Sequence, residues 1–260
     1  MRIGLSSAAF YGRLETEEAA ALLPGLPVDV CEVFLETPSE YSRDFGREVR
    51  RALGDLPCRC VHAKGTQFEG DLFGASPRQR RDALRTLSGV LDCGWALGAQ
   101  VLAFHGPPDY RGGLCPEKIP RLLETLLDIT ALARERGIRV GWENVSWCAL
   151  KRPKDAAFLA QACPELGFVL DIKQAFQAGE DPFSFLPVLS ERLLHVHVLD
   201  WDEKGRLCLP GEGVFDFPRL FRELRCMGYA GDILLEPYAV QAQNKAALRA
   251  FLPRRRDESM

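Results

Sequence analysis

Short apolar runs rich in β-branched residues alternate along this chain with longer stretches in which apolar positions recur every three or four residues. Gly, Pro or Asp marks most of the junctions. The short runs predict strands and the longer ones amphipathic helices. Eight strand candidates follow one another: "RIGLSS" (2–7), "VDVCEVFLE" (28–36), "CRCVHA" (58–63), "AQVLAFH" (99–105), "IRVGWE" (138–143), "GFVLD" (167–171), "LLHVHVL" (193–199) and "DILLE" (232–236). Stretches between them such as "PRQRRDALRTLSGVLDCGWALG" and "PEKIPRLLETLLDITALARERG" begin near Pro and end at Gly, as helices do.

Strand and helix in strict alternation predict a parallel sheet with crossover helices, and eight such units in about 250 residues are the size of an α/β (β/α)8 TIM barrel. No composition shift or linker divides the chain, so residues 1–260 are expected to form a single domain, with 253–260 as a frayed tail. A doubly wound open sheet is the alternative. It usually carries a Gly-rich phosphate turn after its first strand, and "IGLSSAAFYG" is not one.

Composition narrows the class. Hydrophobic residues make up 47% and charged residues 27% of the chain, and no run approaches the roughly 18 apolar residues of a membrane span. The N-terminus lacks a signal-peptide core. Nine scattered cysteines point to reduced thiols in a cytoplasm, and the C-x-C of Cys58 and Cys60 reads as strand packing. A net charge of −3, with no basic run before "PRRRDESM", argues against a nucleic-acid surface and any membrane role. A homo-oligomer remains open.

In a barrel, alternate strand residues point inward and functional groups gather at the C-terminal strand ends. The expected inward sets are Glu32, Phe34, Glu36; Cys58, Cys60, His62; Val101, Ala103, His105; Arg139, Gly141, Glu143; Gly167, Val169, Asp171; His195, His197, Leu199; and Asp232, Leu234, Glu236. Singly, each polar member has a structural explanation: Asp171 caps the following helix, a histidine is a bonded interior residue, a glutamate pairs with arginine. Together they do not, because carboxylates and imidazoles converging on one buried mouth are costly without a cation to neutralise them. Nitrogen and carboxylate ligands in this mix suit zinc, manganese, iron or cobalt better than calcium.

The strand-ending set "CVHA", "VLAFHG", "GWEN", "VLD", "HVHVLD" and "LLEP", with "LPGEG" after strand seven, resembles the xylose isomerase-like TIM barrel superfamily, which includes sugar isomerases and epimerases and endonuclease IV. The resemblance implies that Glu143, Asp171, His197 and Glu236 hold one divalent ion, among manganese, zinc, cobalt, iron and magnesium. It also implies that His62 and His105, with a bridging Glu143, hold a second ion in the nuclease branch but face substrate in many epimerases. His195 shares the face of His197 and should lie deeper. With Glu36 and Asn144, it is expected behind the ligands or, for Glu36, against substrate.

Four departures matter. The nuclease branch holds a third ion through a histidine three residues after the strand-six aspartate and through an Asp and a His in the loop before the Gly-Glu-Gly; here Gln174, Gly205 and Leu207 occupy those places. Hydride-shifting isomerases have a lysine where this chain has Val145. The resemblance therefore implies a divalent-metal-dependent isomerase or epimerase on a sugar, sugar phosphate or keto-polyol. It would work by proton transfer between Glu143 and Glu236 through a metal-stabilised enediolate, with His62, His105, Gln174 and Arg206 on the small carbohydrate substrate. Trp142, Trp147, Phe68, Phe73, Phe176 and Tyr238 are candidates for the wall of the mouth, and Asp200 and Asp202 for loop support. A lyase or dehydratase on a keto-sugar or polyol derivative is the alternative. A sugar-binding barrel without turnover and an endonuclease IV-like phosphodiesterase rank lower.

Overall fold

The computed structural model describes residues 1–109 and 119–237. Eight parallel strands close a barrel: β1 (Ile3–Ser6), β2 (Val30–Leu35), β3 (Cys58–Ala63), β4 (Val101–Phe104), β5 (Arg139–Glu143), β6 (Gly167–Asp171), β7 (Leu193–Val198) and, at the end of the described chain, β10 (Asp232–Leu235). Their order around the barrel is β1-β10-β7-β6-β5-β4-β3-β2, so each strand lies beside its neighbours in sequence and β10 closes onto β1. An antiparallel pair, β8 (Asp200–Trp201) and β9 (Leu207–Cys208), lies in the loop after β7.

Among the described residues the helices are α1 (Thr16–Leu22), α2 (Arg43–Leu53), α3 (Glu69–Leu72), α4 (Pro77–Leu97), α5 (Ile119–Arg134), α6 (Pro153–Ala162), α7 (Ile172–Gln177), α8 (Leu186–Leu189) and α9 (Phe217–Cys226). The longest described helix, α4, shows how local chemistry sets their ends. Ser76 Oγ accepts from Gln79 N, Pro77 opens the first turn, and Gly98 closes the helix in the left-handed region at φ 78°. Its buried face carries Leu87, Val90, Leu91 and Leu97. On its outer side Asp92 receives Arg43 at 3.1 Å and Arg136 at 2.9 Å, tying α2 and the end of α5 to it. No helix among the described residues is long and apolar enough to cross a membrane.

The barrel interior is layered. At its N-terminal end Asp232 accepts from Arg2 at 2.9 Å and Arg59 at 3.0 Å. Above it lies a small apolar layer of Cys60, Val101, Ala103 and Val169, separate from the large core between strands and helices. The carboxylates and histidines sit above that layer. Cys58 departs from the expected inward set: it belongs to the outer core with Cys31, because the β2–β3 register shifts between Cys31 and Glu32. A second shift, between Phe168 and Val169, sets His195 opposite Val169 and His197 opposite Asp171.

Candidate metal centre

Each main site residue stands at or near the end of a strand whose apolar neighbours are buried against the helices. β5 delivers Glu143, β6 Asp171 and β7 His197, while Glu236 follows β10. One ligand atom from each of these four lies within 4.8 Å of the others. Oxygen and nitrogen ligands bind zinc-like ions at about 2.0–2.2 Å, so the four need to draw in only slightly around one ion. All four are buried.

His197 is the pivot. Its Nδ1 lies 3.1 Å from Glu143 Oε1 and its Nε2 2.9 Å from Glu32 Oε2. Glu32, fully buried, also accepts from Ser6 Oγ at 2.8 Å. The carboxylate behind the imidazole fixes the ring and raises its basicity, as partners of metal-bound histidines do. His195 lies below, 3.5 Å from Glu32 Oε2, and Cys60 joins this pair in a deeper group.

His62 and His105 meet nitrogen to nitrogen at 2.8 Å, and with Glu143 they form a second group able to hold a metal. The turn that delivers His105 depends on Glu69, whose Oε2 accepts from His105 N at 3.0 Å and Gly106 N at 2.9 Å. Gly106 has φ +76°, and a Cβ there would collide with the Trp142 ring, whose Nε1 donates to His105 O at 2.7 Å. Trp142 is thus buried structure. Trp147, 44% exposed, has its ring 6.0 Å from that of His105 and stands at the rim.

The buried charges of the site act strongly on one another. Burial is the largest influence on the Glu143 carboxyl and would raise it, but the charge and hydrogen bond of His197 together with the nearby His105 and His62 hold the group down at about 2. Burial raises Asp171 to about 6, with Glu143 and Glu236 adding to the shift against Lys173. Burial opposes charge on His62, yet the carboxylates of Glu236 and Glu32, each 3.5 Å from Nδ1 and too far for a good hydrogen bond, carry it up to about 10. Among the described residues, Glu143 Oε2, His62 Nδ1 and His105 Nδ1 are buried polar atoms that no hydrogen bond reaches. Such orphaned acceptors and ring nitrogens are expensive unless an ion or ligand takes them, and the carboxylate–imidazole set has the chemistry for a divalent ion.

The remaining predicted residues fall into place unevenly. Asn144 exchanges hydrogen bonds with the Asp171 backbone at 2.8 and 2.9 Å and so positions the aspartate. Gln174 Oε1 accepts from Ser146 N at 3.0 Å and Ser146 Oγ at 2.8 Å, which ties α7 to the loop after β5. Glu36 lies half-buried at the rim, its carboxyl pushed up first by burial and then by Glu40 and Glu15. Arg206 stands outside the ligand group, its exposed side chain paired with Asp202 across the hairpin turn. Asp200 organises the "LPGEG" loop, accepting from the backbone N–H of Trp201, Gly211, Gly213 and Phe215. Phe68 is core, Phe73 packs near Phe104 and Trp142, and Phe176 stacks on Trp201 at 4.3 Å. Tyr238 and the tail lie outside the described residues.

Sequence reasoning placed Glu32 on the inward face without a role, and passed over Ser6, Glu69 and Lys173. Val145 is packed core, but a lysine does reach the carboxylates from the end of β6. Lys173 Nζ, 2% exposed, lies 2.6 Å from Asp171 Oδ2 and also contacts Glu236 Oε2. The one signal for it was its spacing of two from Asp171, which on a strand-to-helix turn returns the side chain to the same mouth.

Fold and site define a (β/α)8 barrel with a buried carboxylate–histidine centre at the C-terminal strand ends. The family model for the xylose isomerase-like TIM barrel matches residues 25–254, and the chain belongs to that family. A solved structure of a D-tagatose 3-epimerase-like protein superposes with a TM-score of 0.79 at 20% identity, covering 100% of both chains. The 3-keto-D-glucoside 4-epimerase of E. coli superposes with a TM-score of 0.76 at 18% identity, covering 98% of this chain and 99% of that one. The 3-dehydroshikimate dehydratase of Pseudomonas aeruginosa is 27% identical over 130 residues, 45% of this chain. The match spans only 20% of that protein's length.

Proposed function

We propose that this protein is a divalent-metal-dependent isomerase or epimerase of a sugar or keto-polyol, working by proton transfer. The observation that carries the reading is the convergence of Glu143, Asp171, His197 and Glu236 from four strand ends, with ligand atoms within 4.8 Å of one another. These four residues would hold a divalent cation, which would supply Lewis acidity and so make the hydroxyl-bearing carbon beside a substrate carbonyl more acidic. Glu143 Oε1 is engaged with His197, so Oε2, which no hydrogen bond reaches, is the atom that takes a proton from the substrate carbon. Glu236 arrives from β10, across the ligand group from Glu143 on β5, and returns a proton at the other face or the adjacent carbon.

His62 and His105 supply hydrogen bonds to substrate oxygens. Trp147 and Phe34, whose ring lies 5.2 Å from that of His62, give the sugar apolar walls. The epimerase neighbours support this class of reaction. Gln174, tied to Ser146 where the nuclease branch has a histidine ligand, and the net charge of −3 weigh against phosphodiester cleavage. The described cysteines are unbridged, in keeping with a cytoplasmic site of action.

The dehydratase relative favours a second reading, a lyase that uses the same proton abstraction and then expels a leaving group. One experiment separates them. Metal-loaded protein is incubated in deuterated water with a panel of ketoses and keto-polyols, and deuterium incorporation and water release are both followed. Exchange without water release that disappears in Glu143→Gln and Glu236→Gln supports the epimerase. Water release selects the lyase, and exchange surviving both substitutions refutes the assignment of these carboxylates.

A further inference from the structure

Lys173 is the second residue of α7, where the partial positive charge of the helix N-terminus disfavours a cation, and it is buried, which disfavours a cation further. Neither local structure nor packing explains an ammonium at this position; the carboxylates do. Asp171 has two oxygens with separate duties. Oδ1 accepts from Gln174 N at 3.0 Å and caps α7, so Oδ2 is the one left for a cation, and Lys173 Nζ lies 2.6 Å from it. Glu236 is divided in the same way. Its Oε1 faces His62 Nδ1 at 3.5 Å, and its Oε2, the oxygen nearer His197, is in contact with Lys173.

We propose that the Lys173 ammonium is a resident cation of this centre, which holds Asp171 Oδ2 and Glu236 Oε2 in the ion-free protein and competes with a divalent ion for those same oxygens. The inference rests on the metal reading given above and goes beyond it. Metal entry at this centre is an exchange of one cation for another, and the lysine has two effects of opposite sign. It stabilises the ion-free fold by neutralising carboxylates that would otherwise repel one another, and it weakens divalent binding both by occupying the ligand oxygens and by repelling the incoming charge. The centre is therefore built to bind its ion reversibly and to keep its shape without it. A pure structural tether would have only the first effect.

The test uses Mn2+ as the probe, by calorimetric titration of chelator-treated full-length protein at fixed pH, with Lys173→Met and Lys173→Gln as variants. Both neutral variants are expected to bind Mn2+ at least tenfold more tightly than the unmodified protein, while their ion-free forms melt at lower temperature. Equal or weaker Mn2+ binding by folded variants overturns the proposal and leaves the metal reading standing. Failure of the unmodified protein and both variants to bind Mn2+ overturns the metal reading itself. Binding by the variants alone supports the proposal in its strongest form.

Should the variants not fold, the unmodified protein decides. With 15N-labelled lysine, the Nζ resonance of Lys173, sheltered in the ion-free protein, is expected to shift or lose its protection from exchange at saturating Zn2+. An unchanged Lys173 resonance under saturation overturns the proposal.

Discussion

Glu69→Ala is the perturbation whose consequence the structure prescribes most directly. Glu69 is 3% exposed, and its Oε2 accepts from His105 N at 3.0 Å and Gly106 N at 2.9 Å. Its carboxyl fits because residue 65 is glycine; a Cβ at Gly65 would overlap it. Truncation removes two hydrogen bonds to a charged acceptor, each contributing about 1.5–3 kcal/mol, and leaves two backbone donors in a buried turn. Water reaching the turn beside the half-buried His105 recovers part of this, so the net loss is expected to be about 3 kcal/mol. The assay is urea denaturation followed by circular dichroism, with the midpoint shifted and the m-value unchanged. Glu69→Gln keeps one acceptor oxygen and should lose about half as much. Because this turn aims His105 at the mouth, the function proposed above predicts that KM for its substrate rises in Glu69→Ala more than kcat falls. A loss below about 1 kcal/mol with an unchanged m-value would refute the claim that Glu69 holds the β4 exit.

Two further outcomes are expected. Trp147→Ala removes an exposed ring beside His105 and should raise KM roughly tenfold, about 1.4 kcal/mol of binding, with the melting temperature unchanged; Michaelis kinetics and a thermal melt check both halves. At Asp92, partial burial pushes the carboxyl up, but Arg136 and Arg43 outweigh it and hold the group below its ordinary 3.8. A depressed carboxylate contributes stability that is fully present above 3.8 and is lost as pH falls through the lower folded value. Asp92→Asn should therefore cost about 1 kcal/mol near pH 7, or about 3 °C at this chain length, and the gap to the unmodified protein should narrow as the melts are repeated at pH values falling below 3.8.

The sequence alone determined the architecture and singled out the four residues proposed to hold the metal. Both are encoded locally: an apolar run ending in a polar residue, repeated eight times with helical spacers, leaves few closed parallel arrangements. Glu143, Asp171, His197 and Glu236 are legible because the C-terminal end of a barrel strand is one place in space however long the intervening chain. What only the tertiary structure decided are relations between strands. Glu32 serves His197 across 165 positions of chain, and Lys173 reaches Glu236 across 63. Cys58 left the face it shares with Cys60 because β2 and β3 slip by one residue, which a period of two within one strand does not reveal. The same limit hid the division of labour within Asp171. As a helix cap and as a metal ligand it looked like two competing explanations, but a carboxylate has two oxygens. In the fold Oδ1 caps α7 while Oδ2 faces the buried lysine at the centre of the site.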